Sequence, residues 1–350
     1  MYCIESQMLE TVQYGGPRYY DKTVNIVVDP RGRSGVLFEH TAADGVTALT
    51  FSHELAEAAK EVELGNKKNN NPSAGSSCKL EFKLTTEEKK MLDEIENKTK
   101  DGEVSSAHAK VSIDPDVLAL LREQGVTDMF MFASVLLAME TSSVGSKGCL
   151  IVEPCHVGHF HHGRVDPVFP LTEEAKALVR AVAKGEVNPV GLSELFGQAF
   201  LRHKSLIKAA KAGAGVGPHI AAIRSLLSSE EDAPVKSPLQ RFQVPDVVFT
   251  GGDLSKNILG SVGNVYGRDQ LRITYGAGEG SVAVIGQGKG KYCKVSKGLV
   301  AAVESAMAVM SRVAVPVALQ RQMGIAIGRG AAVSVAGPGL QFNRNLEFKA

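Results

Sequence analysis

Net charge is almost missing from this 350-residue chain: 39 lysines and arginines stand against 38 aspartates and glutamates, leaving +1. Charge therefore gives no argument for nucleic acid or an anionic membrane as the main partner. Paired cysteines are missing as well. Cys3, Cys78, Cys149, Cys155 and Cys293 are scattered and contain no CxxC, which fits a reducing compartment better than a disulfide framework. No run of about 18 apolar residues is present, so no membrane span is expected. The opening MYCIESQMLETVQYGG lacks the basic and apolar regions of a secretory signal and the Arg-rich character of a transit peptide. The final EFKA is not the peroxisomal SKL address. These absences point to an intracellular protein and leave the compartment open. The absence of tryptophan excludes nothing.

Apolar residues make up 44% of the chain, enough for a sizeable core, and 36 glycines imply many turns. TVNIVV (23–28) and GVLFE (35–39) read as strands, with DPRGRSG as the turn between them. This hairpin delivers His40 at the end of its second strand, and a helix is expected over 46–63. GNKKNNNPSAGSS (65–77) is polar and rich in helix breakers, so it reads as an exposed linker. KLEFKL (79–84) alternates like a strand. The following TTEEKKMLDEIENKTKDG carries a threonine cap signal, acids in its first turns and a glycine stop.

Further helices are expected at 116–124, 128–139, 172–185 (Thr172 as cap), 192–211, 219–227 and 298–313. Strand-like text covers CLIVEP and, broken by glycines, 245–284. The residues from 314 onward are Gly-rich and have no clear assignment. The expected organisation is residues 1–64 carrying the His40 hairpin, 65–78 as linker, 79–313 as the main domain and 314–350 as a tail. Strands alternating with helices indicate an α/β fold, of α+β type.

Four sites could carry chemistry. In EHTAADG (39–45), His40 has the side chain whose ordinary pKa suits proton removal near neutrality. Asp44, four positions on, can reach back to fix its tautomer. The plain alternative is a strand-end histidine in a polar turn. HVGHFHHGR places His156, His159, His161, His162 and Arg164 close together. Zinc is one reading, but Gly158 and Gly163 argue against the helix that would align the ligands, leaving a partly exposed strand as the other. The glycine-rich TGGDLSKN, YGAGEG and GQGKGK match neither a P-loop nor a dinucleotide fingerprint and read as turns. Arg202-His203-Lys204 in GQAFLRHK reads as a solvated basic helix face unless an anionic ligand meets it.

Taken in order, these pieces resemble the choline/carnitine O-acyltransferase family. RYYDKT (18–23) resembles the family's R-[WY]-[FY]-D-K-[ST] entry to the hairpin, and FEHTAADG (38–45) its catalytic-histidine segment. FHHGRVDP resembles F-x-x-G-R-[TV]-[DE], and GQAFLRHK resembles G-x-A-x-[DN]-[RN]-H. VPDVVF and EGSVAV follow in the family's order. The resemblance covers about residues 14–312.

It implies a chloramphenicol-acetyltransferase-like mixed sheet with helices packed on one side, as one near-complete half of a two-half fold. It also implies acyl transfer between CoA and the hydroxyl of carnitine or choline, with His40 as general base and no acyl-enzyme. Acyl-CoA would be a co-substrate, and no permanent cofactor or metal is implied. Arg202 falls where carnitine enzymes pair the substrate carboxylate. Val165 takes the choline-enzyme form of its position. Val152 replaces the carnitine-carboxylate tyrosine, beside a retained Glu153. The substrate-contacting S-T-S segment falls on Ser261-Val262-Gly263. On the CoA side the resemblance points to Lys110, with Asp114 or Asp116 near the adenine. Full members are roughly twice as long, which implies a missing N-terminal half. A catalytically inactive CoA-binding or scaffold form of the same family is the alternative.

Overall fold

The computed structural model describes residues 2–3, 22–28, 34–41, 44–61, 83–100, 104–142, 144–185, 188–227, 242, 245–253, 269–278, 280–294 and 296–324. Two sheets organise the fold. The smaller joins β1 (Tyr2–Cys3), β2 (Val24–Val28) and β3 (Ser34–Phe38) in the order β1-β3-β2. Strands β2 and β3 are antiparallel, with Val24 opposite Phe38 and Val28 opposite Ser34. This is the expected hairpin, and α1 (Gly45–Glu61) follows it.

The chain continues through α2 (Thr86–Lys100), β4 (Val104–Ser112), α3 (Pro115–Glu123), α4 (Thr127–Thr141), β5 (Ile151–His156), β6 (Val165–Val168) and α5 (Glu173–Ala183). Next come α6 (Pro189–Lys211), α7 (Gly217–Leu226), β7 (Val247–Asp253), β8 (Gln270–Ala277), β9 (Ser281–Lys289) and α8 (Ser296–Gln322). The larger sheet has the order β4-β9-β8-β7-β5-β6. Its β5-β7 and β7-β8 pairs are parallel, and the others are antiparallel. The fold is therefore α/β with a mixed sheet.

Helix starts follow local chemistry. Asp114 accepts from the Asp116 and Val117 amides at 2.9 and 3.4 Å, with Pro115 as the first helical residue of α3. Thr172 caps α5 through the Ala175 amide, and Asn188 caps α6 through those of Val190 and Gly191. Thr85 and Glu88 cap each other's amides at the start of α2, a capping box. Helix α4 is apolar on every face and buries all of residues 129–139, so it forms the centre of the core. Leu271, Ile273 and Tyr275 of β8 and Val282 and Val284 of β9 pack into the same core as Phe130, Phe132, Phe196 and Phe200.

Several elements depart from the sequence reading. GQGKGK, expected as a turn, continues β9 to Lys289, and the histidine-rich stretch expected as a strand is one only as far as His156. Strand β4 was not expected: its nine residues pair along the full length of β9, and this partner supplies what its own composition does not. The strand expected at 79–84 is not seen at Lys83 and Leu84, and its first four residues lie outside the described ones. Helix α8 runs nine residues past 313, with Pro316 inside it. Its stretch Gly298–Gln322 has the length and apolar content of a membrane span, and 56% of its most apolar window is buried. It packs against α4, α6, β4 and β9, as a core helix does. The linker expected at 65–78 lies outside the described residues.

Candidate functional site

His40 follows β3 directly. The Glu39 amide donates to the Thr23 carbonyl at 2.9 Å, which closes the hairpin one residue before His40. Thr41 then donates through its amide and hydroxyl to the Glu39 carboxylate at 2.9 and 2.6 Å. Those bonds, the hydroxyl's first, hold the Glu39 carboxyl below its ordinary pKa. Asp44 stands just before α1, accepts the Ala48 amide at its carbonyl and is buried. The His40 side chain is 56% exposed, and its Nδ1 lies 3.8 Å from Asp44 Oδ1. That is beyond hydrogen-bond length.

Arg164 fills the space between them. Its Nε and Nη2 lie 2.9 and 2.8 Å from Asp44 Oδ1. Its Nη1 donates to the Thr41 carbonyl at 2.9 Å, and Nη2 to the His40 carbonyl. Nη2 is also 3.0 Å from His40 Nδ1. The turn between β5 and β6 delivers this arginine. Val157 donates to the Arg164 carbonyl, Phe160 to that of Val157, and Gly163 to that of Phe160. A Cβ at Gly163 would lie 2.3 Å from the Val157 carbonyl oxygen, so glycine is required immediately before the arginine. Beside this group a cleft of about 560 Å³ runs between α1 and the turn. Asp44, Phe51, Glu54, His156, Gly158 and Arg164 are among its lining residues.

The histidine cluster does not converge. His159 Nε2 lies 2.7 Å from the Lys211 carbonyl oxygen, and the rings of His161 and His162 lie against each other. Among the described residues no three His, Cys, Asp or Glu side chains come together as metal ligands.

The expected substrate residues that are described lie on three elements, β5, β6 and α6. Val165 begins β6 and is 47% exposed. Glu153 on β5 points inward to His203, which the sequence reading had set on a solvated helix face: His203 Nε2 is 2.6 Å from Glu153 Oε2, with His203 buried and Glu153 nearly so. His203 stacks on Phe132, with ring centroids 6.5 Å apart. Burial pushes the His203 pKa down, but the Glu153 hydrogen bond and the charges of Glu153 and Asp128 outweigh it and leave a raised value. Arg202, one position earlier, is exposed on α6. It helps to hold the Glu174 carboxyl below its ordinary pKa, after Glu174's own amide and the Thr172 hydroxyl.

On the CoA side, Lys110 is exposed on β4, opposite Ala283 of β9. Asp114 uses its carboxylate as the α3 cap, and Asp116 is exposed in the first turn. Lys110 and Val165 thus sit on the two edge strands of the six-stranded sheet, which five strand spacings set about 24 Å apart. Ser261 lies outside the described residues.

The family model for choline/carnitine O-acyltransferase matches residues 4–259. Carnitine O-palmitoyltransferase 2, mitochondrial, of Macaca fascicularis is 24% identical over 225 residues, covering 62% of this chain and 33% of that protein. Carnitine O-acetyltransferase of Rattus norvegicus is 23% identical over 222 residues, covering 60% of this chain and 33% of that protein. The match thus spans a third of the length of these curated relatives. Among solved structures, trichothecene 15-O-acetyltransferase from Fusarium sporotrichioides overlaps 88% of this chain and 73% of its own, at 11% identity and a TM-score of 0.42. A chloramphenicol acetyltransferase overlaps 60% and 88%, at 10% identity and a TM-score of 0.33. With the family model matched over more than half its length, the chain belongs to the choline/carnitine O-acyltransferase family.

Proposed function

We propose that this chain transfers an acyl group between CoA and the hydroxyl of carnitine or choline, with His40 as general base. The observation that carries the reading is the turn at His40. It sets an imidazole at the end of β3 and a buried carboxylate, Asp44, four residues on, within the segment that the family model matches. In the proposed step a ring nitrogen of His40 takes the hydroxyl proton. The resulting alkoxide attacks the thioester carbonyl, and the C–S bond breaks as the thiolate leaves. The imidazolium returns its proton to the sulfur. Asp44 steadies the imidazolium charge while it lasts. Arg202, exposed on α6, is the group offered to a substrate carboxylate, and Val165, Glu153 and Ser261 are the further substrate-side groups by family resemblance. Lys110, Asp114 and Asp116 are the CoA-side groups.

A specific observation favours a second reading, in which the chain binds CoA without turning it over. The His40 ring is more than half exposed, and Arg164 occupies the Asp44 carboxylate that would orient it. Preorganised charge is weaker where water reaches it. CoA release from acetyl-CoA, measured with carnitine and with choline, separates the two. Alcohol-dependent release supports transfer. Calorimetric CoA binding with no release supports the second reading, and neither binding nor release overturns both.

A further inference from the structure

Arginine has five N–H donors and no acceptor. Where Arg164 Nη2 meets His40 Nδ1 at 3.0 Å, the imidazole nitrogen must therefore be the acceptor. With a proton on Nδ1, two N–H groups would face each other at that distance. A neutral imidazole that accepts at Nδ1 carries its proton on Nε2. Nothing on the carboxylate side opposes this. Asp44 Oδ1 is 3.8 Å from Nδ1 and already receives the Nε–H of Arg164, which leaves the two Nη2 hydrogens for the His40 carbonyl and Nδ1. The guanidinium is fixed from three further directions: the Thr41 carbonyl, the His40 carbonyl and the Gly163 turn that delivers it.

We propose that Arg164 is a tautomer latch. By donating to Nδ1 it keeps the ring proton on Nε2, so the lone pair of His40 is spent on Arg164 rather than offered to a substrate. This rests on the reading of His40 as the base, and it makes Arg164 a positioning residue that acts through His40. When the guanidinium swings off Nδ1, Nε2 gives its proton to water and Nδ1 takes one from water. The new Nδ1–H donates to Asp44, and the lone pair now lies on Nε2, where a substrate hydroxyl can deliver its proton. The same arginine thus holds two states apart. In one it bridges His40 and Asp44. In the other these two residues bond directly.

The test is long-range ¹H–¹⁵N correlation of the histidine rings in the full chain at about pH 8.5, where an ordinary imidazole is neutral. The His40 signals are assigned by their loss in His40→Asn. The expected result is the Nε2–H pattern for His40 in the unaltered protein and a shift toward Nδ1–H in Arg164→Ala. Asp44→Asn, which releases the arginine's anchor but keeps the arginine, should give a mixture, and it serves if Arg164→Ala does not fold. An Nδ1–H pattern in the unaltered protein overturns the latch, as does a pattern that neither variant changes. Because the readout needs no turnover, the two ideas fail separately. A tautomer shift without any acyl transfer keeps the latch and removes the base.

Discussion

His203 on α6 and Glu153 on β5 form a buried ion pair, 2.6 Å between Nε2 and Oε2, that ties α6 to the sheet. Because the His203 pKa is raised in the folded chain, the protonated ring is favoured there more than in the unfolded chain. Its stabilisation is complete below the ordinary imidazole value and fades as pH rises through the folded value. The thermal midpoint should fall as pH is taken upward from about 6.5, and His203→Gln should flatten that slope. Breaking a buried pair from one side costs about 3–5 kcal/mol, so denaturant unfolding of the variant should show a loss of that order. An unchanged slope would remove the pair's role.

Asp166 lies beneath the loop between α6 and α7. A Cβ at Gly215 would lie 1.7 Å from Asp166 Oδ2, and one at Gly217 2.4 Å from Oδ1. Gly215→Ala should destabilise the chain by about 1–3 kcal/mol, the usual cost of overpacking. Denaturant titration would measure it.

Burial raises the Asp166 pKa against the opposing Gly217 amide hydrogen bond. The charged form is therefore disfavoured in the fold, and stability should rise as pH falls through the folded value toward the ordinary carboxylate range. Asp166→Asn should raise the thermal midpoint at neutral pH and lose that advantage in acid. A lower midpoint at neutral pH would contradict the assignment.

Arg202 is exposed, so Arg202→Ala should change stability by no more than about 0.5 kcal/mol. If it meets a substrate carboxylate, losing a charge-assisted bond of about 1.5–3 kcal/mol should raise KM for carnitine roughly 10- to 150-fold. KM for choline, which has no carboxylate, should stay the same. Equal effects on both would rule out that contact.

The contrast between Arg202 and His203 shows what the sequence makes legible. Phe196, Ala199, Phe200 and His203 recur at i, i+3, i+4 and i+7 and are all buried. That periodicity turns His203 inward and leaves Arg202 outside, so the reading of Arg202-His203-Lys204 as one solvated face holds for Arg202 and Lys204 and fails for His203. The hairpin, α1 and the cap at Thr172 follow from local signals, whereas the caps at Asp114 and Asn188 emerge only in the structure. Strand β4 does not, because small and polar residues at 104–112 become a strand only through β9, some 170 residues on. Nor does α8 beyond 313, where Pro316 reads as a helix end yet lies inside a helix held by packing on α4 and α6. The Arg164 clamp was illegible for a related reason. The Gly163-Arg164 pair is visible in the text, but its contact with Asp44 spans 120 residues.

His40 removes the substrate proton in the proposed reaction, and CoA release from acetyl-CoA by His40→Ala is its direct test. General-base catalysis contributes roughly 10²- to 10⁴-fold. A loss of that size in kcat is expected, with CoA binding retained. Release at the rate of the unaltered protein would contradict it.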